Sequence, residues 1–105
     1  MPAKAPPLER TIEAAAVRYA QKQGVLCTKM NLMGRRGWPD RCFWLPGGRP
    51  LFIEFKRLGA KPTPLQEHVH EQLRAAGYRV EVVDDAAQGV VILRGALIAV
   101  GGWPV

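Results

Sequence analysis

Acid is scarce in this 105-residue chain: nine Asp and Glu stand against fifteen Lys and Arg, for a formal charge of +6. The shortage is local. Between Lys29 and Lys61 lie eight basic side chains and only two acids, Asp40 and Glu54, while the rest of the chain is balanced. A basic excess gathered around two acids suits a surface that follows a phosphate backbone. A membrane surface would call for a basic amphipathic helix, and the sequence has none. Apolar runs long enough to span a bilayer are also missing, which excludes a transmembrane helix. The opening stretch, Met1-Pro2-Ala3-Lys4-Ala5-Pro6-Pro7, lacks the apolar core of a signal peptide. The expectation is a flexible lead-in over 1–7 and a cytoplasmic protein.

Cysteine is thin as well. Cys27 and Cys42 have no CxxC or Cys/His spacing, and both fall in apolar, strand-like segments, so they read as reduced core thiols. His68 and His70 are two apart on a helical stretch and face different directions, which argues against a zinc site. With this length the chain forms one domain, 1–105, with a modest core.

What the sequence does contain centres on Gly37 to Lys56. Two apolar strands are joined across Gly47-Gly48; Asp40 opens the first, and Glu54-Phe55-Lys56 closes the second. Residues two apart on a strand point the same way, so Glu54 and Lys56 share a face and Phe55 takes the other. Charges within apolar strands need a partner, because an unpaired buried charge costs several kcal/mol. A hard divalent cation supplies one. Two carboxylates and a backbone carbonyl from the strand can hold Mg2+, and Lys56 can orient a metal-bound water or offset charge on a phosphate. Taken as isolated letters, the same residues also describe an acid at a strand start and a cross-strand ion pair. The turn adds a condition. A strict two-residue turn would set Asp40 opposite Phe55 and send the two acids to opposite faces, so a shared cation requires an odd-length loop, a bulge, or Asp40 just outside the ladder.

Around this centre, Leu8 to Gln23 carries an apolar stripe at helical spacing, with Glu9 and Glu13 on its shoulder. Val25 to Asn31 reads as a strand. Leu32 to Trp38 reads as a mobile loop, with Arg35 and Arg36 placed for phosphate contacts. Lys29, Arg41, Arg57 and Lys61 complete the candidate nucleic-acid surface. Thr63-Pro64-Leu65-Gln66 spells a helix start with a capping box. Tyr78 to Val83 alternates as a strand, Asp84-Asp85 can cap a short helical turn, and Val90 to Val100 is apolar and β-like. The order predicts an α/β fold, a small central mixed β-sheet flanked by helices.

Pro39-Asp40 followed by Glu54-Phe55-Lys56 resembles the PD-(D/E)xK nuclease core. The longer string, from the Glu9/Glu13 helix through Gly37-Trp38-Pro39-Asp40-Arg41 and Gln66 to Gly77-Tyr78, resembles its stand-alone VRR-NUC branch. The resemblance implies a restriction-endonuclease-like core and a Mg2+- or Mn2+-dependent endonuclease, bacterial or phage-encoded, without a small-molecule cofactor. It implies metal ligation by Asp40, Glu54 and the Phe55 carbonyl, with Lys56 catalytic. A glutamate from the first helix, Glu13 rather than Glu9, joins the metal directly or through water, and Gln66 has a site role beside its cap. It further implies branched DNA as substrate and a homodimer, for which the apolar stretch from Val90 onward with Trp103 is the expected contact. Two other readings stand beside it: a non-catalytic DNA-binding module on the same fold, and a restriction-type enzyme. The latter is disfavoured by the lack of a further domain or long loop to read base edges.

Overall fold

Ile12, Ala16 and Ala20 recur at one-turn spacing along helix α1, Glu9–Lys22, and all three are buried. In this computed structural model, which describes residues 8–31 and 33–100, that stripe packs on a four-stranded sheet. The 1–7 lead-in, Leu32 of the predicted loop, and Trp103 of the predicted contact lie outside the described residues. Strands β1 (Leu26–Lys29), β2 (Arg41–Leu45) and β3 (Arg49–Phe55) form an antiparallel meander. Helix α2, Pro64–Ala75, then crosses over to β4, Arg79–Val83, which lies parallel to β3, giving the order β1-β2-β3-β4. The sheet is therefore mixed, as the element order predicts.

The strands are apolar on both sides because both sides are covered. Phe43, Leu45, Leu51, Ile53, Phe55 and Val83 face α1 and the last helix, while Cys42, Phe52 and Val80 face Val69 and Leu73 of α2. Both cysteines are free, Cys42 buried and Cys27 half-buried, in strands as expected. Burial pushes the Cys42 thiol up to about 12, so it stays a neutral core group.

One prediction fails. Val90 to Val100 is not β-like; it belongs to helix α3, Ala86–Ala99. Local propensity favoured a strand, since Val90, Val91 and Ile92 are β-branched. Two features override it. Asp85 accepts from the Gln88 N–H as an N-cap, and Gly89, Leu93, Ala96 and Leu97 present one buried stripe to the core. Gly89 lets the helix sit close: a Cβ there would meet Val83 at 3.3 Å. Asp85 thus caps a full helix rather than a short turn, and Asp84 instead accepts from the Gly59 N–H.

The β2–β3 connection meets the condition that the two acids impose. Leu45 pairs with Arg49, which leaves three loop residues, Pro46, Gly47 and Gly48, with both glycines at positive φ (80° and 68°). In this odd register Arg41 pairs with Ile53, and the next position outward sets Asp40 opposite Glu54 on the α2 side.

Candidate active site

Glu54 is 2% exposed on a strand whose other buried residues are apolar, so its surroundings decide what it can be. Lys56 Nζ lies 3.6 Å from its Oε2, and Gln66 Nε2 donates to the same oxygen at 3.3 Å. Asp40 is held just beyond the ladder by two backbone bonds. Its Oδ2 accepts from the Phe55 N–H at 2.7 Å, and its carbonyl accepts from the Met30 N–H at 3.0 Å. The loop before it is seated by Gly37, whose φ of +85° suits glycine and where a Cβ would lie 3.0 Å from both Leu65 and Val69. That seat fixes Trp38-Pro39-Asp40 against the start of α2.

Gln66 serves two purposes at once. Its Oε1 accepts from the Thr63 N–H and its own N–H donates to Thr63 Oγ1, which completes the predicted capping box. Its Nε2 remains free to reach Glu54. The first helical turn of α2 is thereby tied to the carboxylate.

Burial, and after it the neighbouring Asp40 carboxylate, pushes the Glu54 carboxyl up to about 8; the Lys56 ammonium pulls the other way. One ammonium is too little to keep two adjacent carboxyls ionised. Glu54 Oε1 is also buried with no hydrogen-bond partner. An oxygen-only donor set of two carboxylates, short of positive charge and with an unfilled lone pair, fits a hard divalent cation. Among the described residues no three His, Cys, Asp or Glu side chains group as a metal cluster. The protein ligands for such an ion would be Asp40, Glu54 and the Phe55 carbonyl, with water completing its shell.

Glu13 is placed differently from its expected role. Its Oε2 accepts from Arg41 Nε at 2.5 Å, and Arg41 alternates with Cys42, so it lies on the α1 side of the sheet. The structure does not bring Glu13 beside Asp40 and Glu54; the guanidinium adjacent in sequence to Asp40 has captured it. The same pair removes Arg41, with 18% of its side chain exposed, from the free phosphate-binding set. Glu9 is exposed. The other predicted cations, Lys29, Arg35, Arg36, Arg57 and Lys61, are all exposed, on segments that adjoin Asp40 or Lys56 in the chain or across the ladder.

Sequence reasoning missed His70. It is 1% exposed, and its Nε2 lies 3.6 Å from Glu54 Oε1. Burial, then the charges of Arg74 and Lys56, hold its pKa below the usual range, so the ring is neutral. A signal was present: His70 is four residues after Gln66, hence on the same face of α2 one turn later.

No family model matches the chain. A relative named "Putative nuclease p44", from Acyrthosiphon pisum secondary endosymbiont phage 1, is 43% identical over 76 residues, which are 72% of this chain and 82% of that protein. A solved structure described as "VRR_NUC domain" matches with a TM-score of 0.75 at 32% identity, over 82% of this chain and 94% of the other. A second, "VRR_NUC domain protein", matches with a TM-score of 0.74 over 95% of each chain; its 19% identity speaks for the fold alone.

Proposed function

The chain belongs to the VRR-NUC family, and from that premise we propose that it is a nuclease that hydrolyses DNA phosphodiester bonds at Asp40, Glu54 and Lys56 with the help of Mg2+ or Mn2+. The observation that carries this reading is the pairing of Asp40 and Glu54 on opposed positions of the β2–β3 hairpin, with Lys56 beside Glu54 and one Glu54 oxygen left without a partner. In the reaction a water oxygen bonds to phosphorus and gives up a proton, one P–O ester bond breaks, and the departing oxygen takes a proton. A bound divalent cation supplies Lewis acidity and neutralises phosphate charge. Lys56, anchored by its backbone N–H to the Val83 carbonyl at 2.8 Å, offsets the charge that develops on the phosphoryl oxygens. Gln66 holds the Glu54 carboxylate in place. Lys29, Arg35, Arg36, Arg57 and Lys61 grip the backbone on either side of the scissile phosphate.

Branched DNA is the proposed substrate and a homodimer the proposed assembly, since paired incisions need two sites held in fixed relation. The contact expected from Val90 onward changes character. Leu93, Ala96 and Leu97 are spent in the monomer's own core, and Val91 and Ile98 are the large apolar side chains that α3 leaves exposed. Sedimentation of the wild type and of Val91→Asp/Ile98→Asp tests that surface; a folded variant that stays dimeric moves the contact elsewhere.

The deciding experiment incubates the pure protein with single-stranded, duplex, flap and four-way DNA, with and without Mg2+ or Mn2+. Metal-dependent cleavage, strongest on the branched forms and absent from Asp40→Ala/Glu54→Ala, is the expected result. Full activity in that double variant overturns the site, and cleavage that is indifferent to branching overturns the substrate.

A further inference from the structure

Glu54 and His70 are the buried polar or charged side chains among the described residues, and the chemistry above gives His70 no task. They face each other. Glu54 Oε1 and His70 Nε2 are 3.6 Å apart, and each is a buried polar atom without a hydrogen-bond partner. Two such atoms left unmade cost about 1–3 kcal/mol each, so a small approach that joins them is strongly favoured. The other Glu54 oxygen is already reached from the same helix, one turn earlier, by Gln66 Nε2 at 3.3 Å. Helix α2 is therefore placed to hold both oxygens of a single carboxylate.

We propose that His70 is a positioning residue for the metal site: its imidazole donates Nε2–H to Glu54 Oε1 and fixes the rotation of the carboxylate against the cation. This inference rests on the reading of Asp40 and Glu54 as ligands of a divalent cation. The physical reason is pre-organisation. A carboxylate clamped at both oxygens by one rigid helix presents its remaining lone pairs in one orientation, whereas a free one must be ordered when the ion arrives. The rival role is packing alone, since His70 is next in the chain to Val69, which with Leu73 belongs to the small cluster beneath α2. Packing depends on volume, and positioning depends on a donor. Leucine keeps the first and loses the second; glutamine keeps a donor at similar reach.

The test measures Mn2+ affinity by calorimetry on DNA-free protein for the wild type, His70→Leu and His70→Gln. His70→Leu is expected to weaken Mn2+ binding by about ten- to a hundredfold, the range typical of lost partners to metal-ligating groups, and His70→Gln to restore it to within about threefold. Equal affinity in the leucine variant, or equal loss in both variants, overturns the role. Should His70→Leu fail to fold, the wild type still decides, because the imidazole tautomer can be read by 15N NMR with Mg2+ present. The Nε2–H form is expected, and a bare Nε2 overturns the proposal. A wild type that binds neither ion overturns the metal reading and this role with it, whereas a wild type that binds while His70→Leu binds equally well overturns this role alone.

Discussion

On the side of the sheet covered by α1 and α3, thirteen buried apolar residues, twelve from both helices and three strands and Val25 from the connection after α1, pack into one cluster, and its charged pair, Glu13 with Arg41, sits at the margin. On the side covered by α2, five buried apolar residues suffice, and the next positions along the same strands carry Glu54 and, from the helix, His70. The first side holds the fold together. The second tolerates buried charge because the first supplies the stability to do so, a division expected where a site must be pre-organised at the expense of local stability. The hairpin makes both possible: β2 and β3 alternate between the layers, and the odd loop at Pro46-Gly47-Gly48 decides which residues go to which side.

The largest effects should separate the two sides cleanly. Asp40→Asn, Glu54→Gln and Lys56→Ala are each expected to lower metal-dependent cleavage by at least about a hundredfold, with the melting temperature held or, for Glu54→Gln, raised as the cost of neutralising a buried carboxyl is removed. Leu93→Ala, 1% exposed on the other side, is expected to cost about 2–5 kcal/mol of stability while the folded fraction cleaves normally. Cleavage assays run beside thermal melts check both. Loss of activity in folded Leu93→Ala would mean that the two sides are not separable.

The second effect is the pH dependence of the metal-free protein. In the fold Glu54 keeps its proton up to about pH 8, whereas an ordinary glutamate releases it near 4.5. The folded state therefore binds more protons across that window, and Glu54's contribution to stability, full below 4.5, is lost as pH rises toward 8. His70, with its pKa pushed down by burial, acts in the opposite sense below its ordinary value of 6.5, so the clean window is 6.5 to 8. Over it the stability should fall by about 2 kcal/mol. Urea melts at several pH values check this. Glu54→Gln, or saturating Mg2+ that replaces the proton, should flatten the slope.

Much of this was legible in the sequence, and the reasons differ by element. Capping boxes and strand alternation act within a few residues, so Thr63-Pro64-Leu65-Gln66 and the Glu54/Lys56 face could be read directly. The register problem was legible as a condition, that the loop be odd, though its solution depends on backbone geometry at Pro46 to Gly48. Val90 to Val100 misled because its β-branched letters carry local preference, while its helix is stabilised by α1 and the sheet, which are distant in the chain. The Glu13–Arg41 pair was not legible for a related reason: which side of the sheet a residue of α1 faces depends on how the helix crosses the strands. His70 was weighed only with His68, as a zinc pair, because its neighbour Glu54 lies sixteen residues away on another element.

Glu13 offers a finer probe of the boundary between the two sides. If its role is the pair with Arg41, Glu13→Ala should cost about 1–2 kcal/mol of stability, reduce cleavage by less than about tenfold, and leave Mn2+ affinity unchanged. Glu9→Ala, at an exposed position, should do less still. A loss of Mn2+ binding in Glu13→Ala comparable to that of Asp40→Asn would show that the carboxylate leaves Arg41 for the ion, and the separation between the two sides would then fail at this edge.

The smallest effect concerns the exposed cations, which serve the α2 side without belonging to its core. Arg35 and Arg36 are exposed on the loop that Gly37 anchors to α2, a few residues before Asp40 in the chain. Each contact to a DNA phosphate releases condensed counterions, which makes affinity fall with salt in proportion to the number of contacts. Replacing both arginines with alanine should therefore lower the slope of log affinity against log salt by roughly one unit per lost contact, and by similar amounts on DNA of different sequence, because phosphates carry no base identity. Stability should be nearly unchanged, since neither side chain is buried. Binding titrations at three or more salt concentrations, on a Glu54→Gln background that cannot cleave, give the slope without interference from turnover. An unchanged slope would assign the backbone contacts to Arg57 and Lys61, beyond Lys56, and the DNA would then run along the β3 side of the site rather than over the loop.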